Sequence, residues 1–141
     1  MKLNSAEQLR LLGAQAEAFE ARAAASGFAG LKPAELTTFQ INVGRWCNQA
    51  CRHCHVDASP QRTEMMDRET LEKCLHIITS VPSITTVDIT GGAPEGHPLF
   101  REFVTRVRAA GKHLIDRCNL TILSEPGHED LADFLAANEV E

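Results

Sequence analysis

Three of the chain's five cysteines, Cys47, Cys51 and Cys54, fall within eight residues in the spacing C-x-x-x-C-x-x-C. In a chain of 141 residues with five cysteines, that spacing is expected roughly 0.006 times by chance. Thiolates placed four and three residues apart on a tight loop can converge on one centre, because irregular backbone can turn each Cβ inward. Closed zinc sites and electron-transfer iron–sulfur sites usually recruit four protein ligands. Three ligands leave one coordination position open, which marks a catalytic site rather than a structural one.

Such a loop needs a scaffold, and the surrounding sequence supplies one. "TTFQINVG" alternates, with Phe39, Ile41 and Val43 on one face, and Gly44 stops the strand just before the cysteines. In "MDRETLEKCLHIITSV", Asp67 is placed to cap a helix, and Met66 and Leu71 stand at the positions of a hydrophobic staple. "SITTVDITGGAPEG" is β-branched and ends in Gly91 and Gly92. Pro98 then opens a helix carrying Phe100, Phe103, Val104 and Val107, which Gly111 stops. "KHLIDRCNLTIL" reads as a third strand, and "GHEDLADFLAAN" as a helix with Leu131, Phe134 and Leu135 on one face. A fourth strand is expected to begin at the final "EVE".

Strands alternating with helices imply βαβ crossovers and a parallel sheet. Functional groups in such sheets collect at the strands' C-terminal ends. The cysteine loop, Gly91 with Gly92, and Cys118 with Asn119 would then share one mouth. Ahead of this unit, residues 5–26 are rich in Ala, Glu, Gln and Arg, with Leu9, Leu12, Ala16 and Phe19 at helical spacing. The expected division is a helical extension over residues 1–35 and an α/β core over residues 36–141.

Composition narrows the function. With 43% apolar residues the chain can build a core, which excludes disorder as the main state. A formal charge of −5 argues against a protein whose affinity comes from neutralising phosphates. Nucleic acid is therefore not an expected partner, and small molecules are. No segment approaches the ~18 apolar residues of a membrane span, and the first fifteen residues hold no apolar run of leader length. The expected compartment is the cytoplasm, where clustered cysteines serve metals or catalysis more often than disulfides.

The cysteine loop after a first strand, followed one βα unit later by Gly-Gly-x-Pro at a strand end, resembles the radical S-adenosylmethionine (radical SAM) superfamily. More narrowly, "NVGRWCNQACRHCHVDASPQRTE", "TGGAPE" and "DRCNLTIL" are similar to its arsenosugar biosynthesis members. The resemblance implies the N-terminal part of a partial (β/α) TIM-like barrel, incomplete at its C-terminal side, since three βα units are visible against about twice as many strands in the family. It implies that Cys47, Cys51 and Cys54 bind three irons of a 4Fe-4S cluster, with S-adenosylmethionine on the fourth. The reduced cluster would then release a 5′-deoxyadenosyl group. It also implies an electron donor such as flavodoxin or ferredoxin, and transfer to a methylated trivalent arsenical.

Other residues carry two readings each. By the resemblance, Gly91, Gly92, Ala93, Pro94 and Glu95 form a cofactor-binding strand end that offers backbone carbonyls to the cofactor's ammonium; Gly-Gly alone would be an ordinary turn. His53 stands where the family often has an aromatic against the adenine, yet imidazole is also a metal ligand. Asn119 is placed either to bind a cofactor hydroxyl or carboxylate or to cap a turn. Cys74, at helical spacing with Leu71, Leu75 and Ile78, reads as a core residue. Cys118 reads as a core cysteine, a substrate thiol or an auxiliary ligand. His55 has no assigned role. Two alternatives need no S-adenosylmethionine: an electron-transfer iron–sulfur module, with Cys118 or His53 as fourth ligand, and a zinc module using His53 or His55.

Overall fold

The computed structural model describes residues 7, 10–11, 19, 21–28 and 34–141. The chain divides into two compact units, residues 1–34 and 35–141. In the first, residues 21–25 are helical, and the helix ends where Gly27 adopts φ +82°. There the Gly27 and Phe28 amides donate back to Ala24 and Ala23, satisfying carbonyls that a helix end leaves unpaired. Phe19 is exposed, and the rest of the expected apolar stripe, Leu9, Leu12 and Ala16, lies outside the described residues.

The second unit is the α/β core: β1 (Thr38–Asn42), α1 (Arg68–Ser80), β2 (Thr86–Thr90), α2 (Phe100–Ala109), β3 (His113–Asp116) and α3 (Leu131–Ala137). The strands form an open parallel sheet in chain order, Thr38 beside Thr86 and Thr86 beside His113. Neighbours in sequence order, each joined through a helix, make the first sector of a (β/α) barrel.

One sheet face is apolar and covered. Ile41, Val43, Val87, Ile89 and Leu114 form one core with Leu71, Leu75 and Ile78 of α1 and Phe103, Val104 and Val107 of α2. Asp67 caps α1, its Oδ1 accepting from Thr70 N–H at 2.8 Å. Arg68 grips Glu102 with two nitrogens at 2.9 and 3.0 Å, fixing α1 beside α2.

The other face is polar. Asp88 lies mid-strand in β2, where Gln40 Nε2 donates to it at 3.0 Å and Arg117 Nε and Nη2 at 2.8 and 2.6 Å. These contacts tie β1 and β2 to the residue just past the end of β3. The Asp88 side chain is 8% exposed, and the Arg117 guanidinium, then Gln40, holds its carboxyl below the usual range. A carboxylate with a depressed native pKa contributes stability above its unfolded value near 4, and that contribution is lost as pH falls through the native value. Arg117→Met is therefore expected to lower the thermal midpoint at pH 7 and flatten its fall on acidification below pH ~4, read by circular dichroism melts from pH 7 to 2.

Three local expectations need correction. The third strand does not run through "LTIL": β3 stops at Asp116 and residues 121–124 form a 3-10 turn. Leu120 takes left-handed φ (+61°), and Asn119 Oδ1 accepts from Ile122 N–H and Thr121 Oγ1, a side-chain turn that ends extended backbone. Pro98 lies in a turn ahead of α2, whose N-cap is Leu99. No fourth strand forms among the described residues; at the expected place Glu141 alone pairs with β3, its N–H donating to Leu114 O and its carbonyl accepting from Asp116 N–H.

Candidate cofactor site at the strand ends

The segment after β1 folds back on itself before entering α1. Arg45 N–H donates to Glu64 O and Met66 N–H to Val43 O, pairing the outgoing and returning chains. Ser59 N–H donates to Arg45 O and Cys47 N–H to Ser59 O. These bonds close the neck of a loop that holds all three cysteines.

Within it Cys47 is buried, Cys54 half-buried and Cys51 exposed. The first two sulfurs already receive N–H donors. Gln49 N–H and the Asn119 amide each point at Cys47 Sγ from 3.4 Å, and Ala58 N–H at Cys54 Sγ from 3.3 Å. N–H donors aimed at sulfur suit the ligands of an iron–sulfur cluster, whose sulfurs accept hydrogen bonds. His53 and His55 are exposed and make no hydrogen bond among the described residues.

The end of β2 is pressed against this loop. Gly92 N–H donates to Gly44 O at 3.0 Å and Ala93 N–H to Trp46 O at 2.8 Å. A Cβ on Gly92 would stand 2.0 Å from Trp46 O, and one on Gly96 2.0 Å from the Trp46 ring. The glycines thus let β2 touch the cysteine loop backbone to backbone. Beneath lies buried His97, whose Nδ1 accepts from Leu99 N–H at 3.1 Å, so the ring's proton sits on Nε2 and is donated to Met66 O at 2.8 Å. Nothing in the sequence pattern distinguished this histidine from a surface one.

The end of β3 reaches the same loop through Asn119. Its Nδ2 donates to Asn48 Oδ1 at 2.8 Å as well as to Cys47, while Oδ1 makes the turn described above. The capping role and the mouth position therefore coexist in one side chain. Cys74 is half-buried against the core.

Cys118 faces a different neighbourhood. Pro94–Gly96 forms a 3-10 turn that buries Glu95, 6% exposed, toward Asp116 and Cys118. Burial, then the Glu95 charge, pushes the Asp116 carboxyl up to about 8. Burial first, with Glu95 adding to it, pushes the Cys118 thiol up to about 12.

The parallel α/β sector thus brings a three-cysteine loop and a glycine pair together at its strand ends. Residues 41–140 match the Radical SAM superfamily. The chain belongs to that superfamily, and with it to enzymes that act on small molecules. None of the curated proteins matches it. No helix among the described residues is long and apolar enough to cross a membrane.

Proposed function

We propose that the protein binds a 4Fe-4S cluster through Cys47, Cys51 and Cys54 and S-adenosylmethionine beside it. The observation that carries this reading is the contact between the cysteine loop and the Gly91–Gly92 strand end, with N–H donors already turned toward two of the three sulfurs. When bound, the cluster supplies one-electron reduction of the sulfonium, which yields the 5′-deoxyadenosyl group. The chain's own residues position that chemistry. Gly91, Gly92, Ala93, Pro94 and Glu95 form the cofactor-facing strand end, His53 lies against the adenine, and Asn119 holds the third strand end to the cluster loop.

The zinc alternative would use the same three cysteines with His53 or His55 and would give a colourless protein.

For the substrate, the stretches around the cysteines, "TGGAPE" and "DRCNLTIL" favour a methylated trivalent arsenical that accepts the deoxyadenosyl group, an early step of arsenosugar biosynthesis. A small reducing protein of the flavodoxin or ferredoxin class in the cytoplasm would deliver the electron.

Electron paramagnetic resonance on anaerobically reconstituted, reduced protein tests the cofactor reading. A reduced 4Fe-4S signal that changes on adding S-adenosylmethionine is the expected result. An unchanged signal indicates an electron-transfer site, and a colourless zinc protein overturns the cluster altogether. Mass spectrometry of the same mixture with dimethylated trivalent arsenic should show a deoxyadenosyl adduct; cofactor cleavage without adduct would overturn the substrate alone.

A further inference from the structure

Among the described residues, one group of three potential metal ligands has all its ligand atoms within 4.8 Å of one another: Glu95, Asp116 and Cys118. None of the loop cysteines belongs to it. Glu95 comes from the 3-10 turn after β2, Asp116 is the last residue of β3, and Cys118 follows two residues later. Asp116 and Leu114 share a face by strand alternation, so the group lies on the helix-covered side of the sheet, not on the polar side that carries Asp88.

All four carboxylate oxygens of Glu95 and Asp116 are buried without a hydrogen-bond partner. Glu95 is more than nine-tenths buried. An unpaired buried charge is costly enough that proteins supply a counter-charge or neutralise the group. Asp88 shows how the chain does this elsewhere, with a guanidinium and an amide on one carboxylate. Among the described residues no guanidinium or amide reaches Glu95 or Asp116, whose polar neighbours are each other and the Cys118 thiol.

We propose that Glu95, Asp116 and Cys118 bind a single divalent cation of the zinc class. Two carboxylates and one thiolate are a donor set that Zn²⁺ accepts, at ~2.0–2.2 Å for oxygen and ~2.3 Å for sulfur. The thiolate disfavours Mg²⁺ and Ca²⁺, which take oxygen ligands. Three protein ligands leave a fourth position for water or a small ligand. Binding displaces the Cys118 thiol proton and any proton held by the carboxyl pair. The cation would tie the turn after β2 to the end of β3, the two segments that hold Gly92 and Asn119 against the cysteine loop. The site does not depend on the cluster, and its test is arranged accordingly.

Isothermal titration with Zn²⁺ alone would use the full chain carrying Cys51→Ala and Cys54→Ala, which leaves a single loop thiol and no competing cysteine site. The expected result is one Zn²⁺ per chain, with affinity falling at least 100-fold on adding Cys118→Ala, Asp116→Asn or Glu95→Gln. Co²⁺ in place of Zn²⁺ should show a thiolate charge-transfer band that Cys118→Ala removes. As a second measurement, cluster-loaded chain with all its cysteines should retain one equivalent of zinc after desalting, and the Asp116→Asn form should not. Zinc binding indifferent to the three substitutions overturns the proposal. So does absence of zinc binding together with a raised thermal midpoint in Glu95→Gln, which would show instead a carboxyl pair sharing a proton.

Discussion

Cys51→Ala is expected to abolish the iron–sulfur cluster while leaving the fold intact. Cys51 is exposed, and among the described residues its thiol makes one hydrogen bond, to Gln49 Oε1 at 3.6 Å. Replacing an exposed side chain with so few contacts alters stability by no more than about 0.5 kcal/mol. Any loss of iron then reports a lost ligand rather than a lost structure. Iron and sulfide should fall from about four of each per chain to below one, with an unchanged circular dichroism melt. Cys47 would be a poorer probe, because it is buried in the core cluster and accepts two N–H donors. The control is Cys74→Ala, half-buried against the core and far along α1 from the loop. It should cost about 1 kcal/mol and keep its iron. Retention of the cluster in Cys51→Ala, or its loss in Cys74→Ala, would remove Cys47, Cys51 and Cys54 as the ligand set.

The parallel α/β order was legible because each element carries its own local signal. Alternation in "TTFQINVG", the Asp67 cap and the apolar spacing of α1 and α2 are short-range patterns, and short-range physics fixes them. The end of β3 was not legible by the same means. "LTIL" has strand propensity, but Asn119 spends its side chain on a turn and Leu120 is held left-handed, a choice made by contacts with Asn48 and Cys47 some seventy residues away. Residue period alone cannot see such a partner.

The site divides along the same line. The cysteine spacing needed only counting, whereas Glu95, Asp116 and Cys118 come from two segments that the sheet register brings together, and no spacing in the chain announces them. The sequence therefore leaves Cys118 open among core, substrate and ligand roles. Glu95 is a related case. Its segment was expected at the cofactor, and the backbone of that segment does meet the cysteine loop, while the carboxylate turns the other way into the interior.

Among the described glycines, Gly92 should be the one where an added methyl does the most damage. The new Cβ would lie 2.0 Å from Trp46 O, 2.6 Å from Trp46 C and 3.0 Å from Arg45 O. All three are backbone atoms, and Trp46 O is further pinned by Ala93 N–H at 2.8 Å, so no side chain can swing aside. Overpacking of this kind costs about 3 kcal/mol or more, which in a unit of this size lowers the thermal midpoint by on the order of 10–20 °C. The displaced segment leads directly into Cys47, so cluster loading should fall with it. Gly127→Ala separates crowding from backbone strain. Gly127 has φ +86° and nothing within 4 Å of its would-be Cβ, so alanine there meets strain alone, about 1 kcal/mol. If Gly92→Ala melts no lower than Gly127→Ala yet weakens S-adenosylmethionine binding, Gly92 serves the cofactor's approach and not the seating of the loop. If both stability and cluster loading collapse, the glycine pair acts first by letting one strand end touch another, and the cofactor depends on that contact.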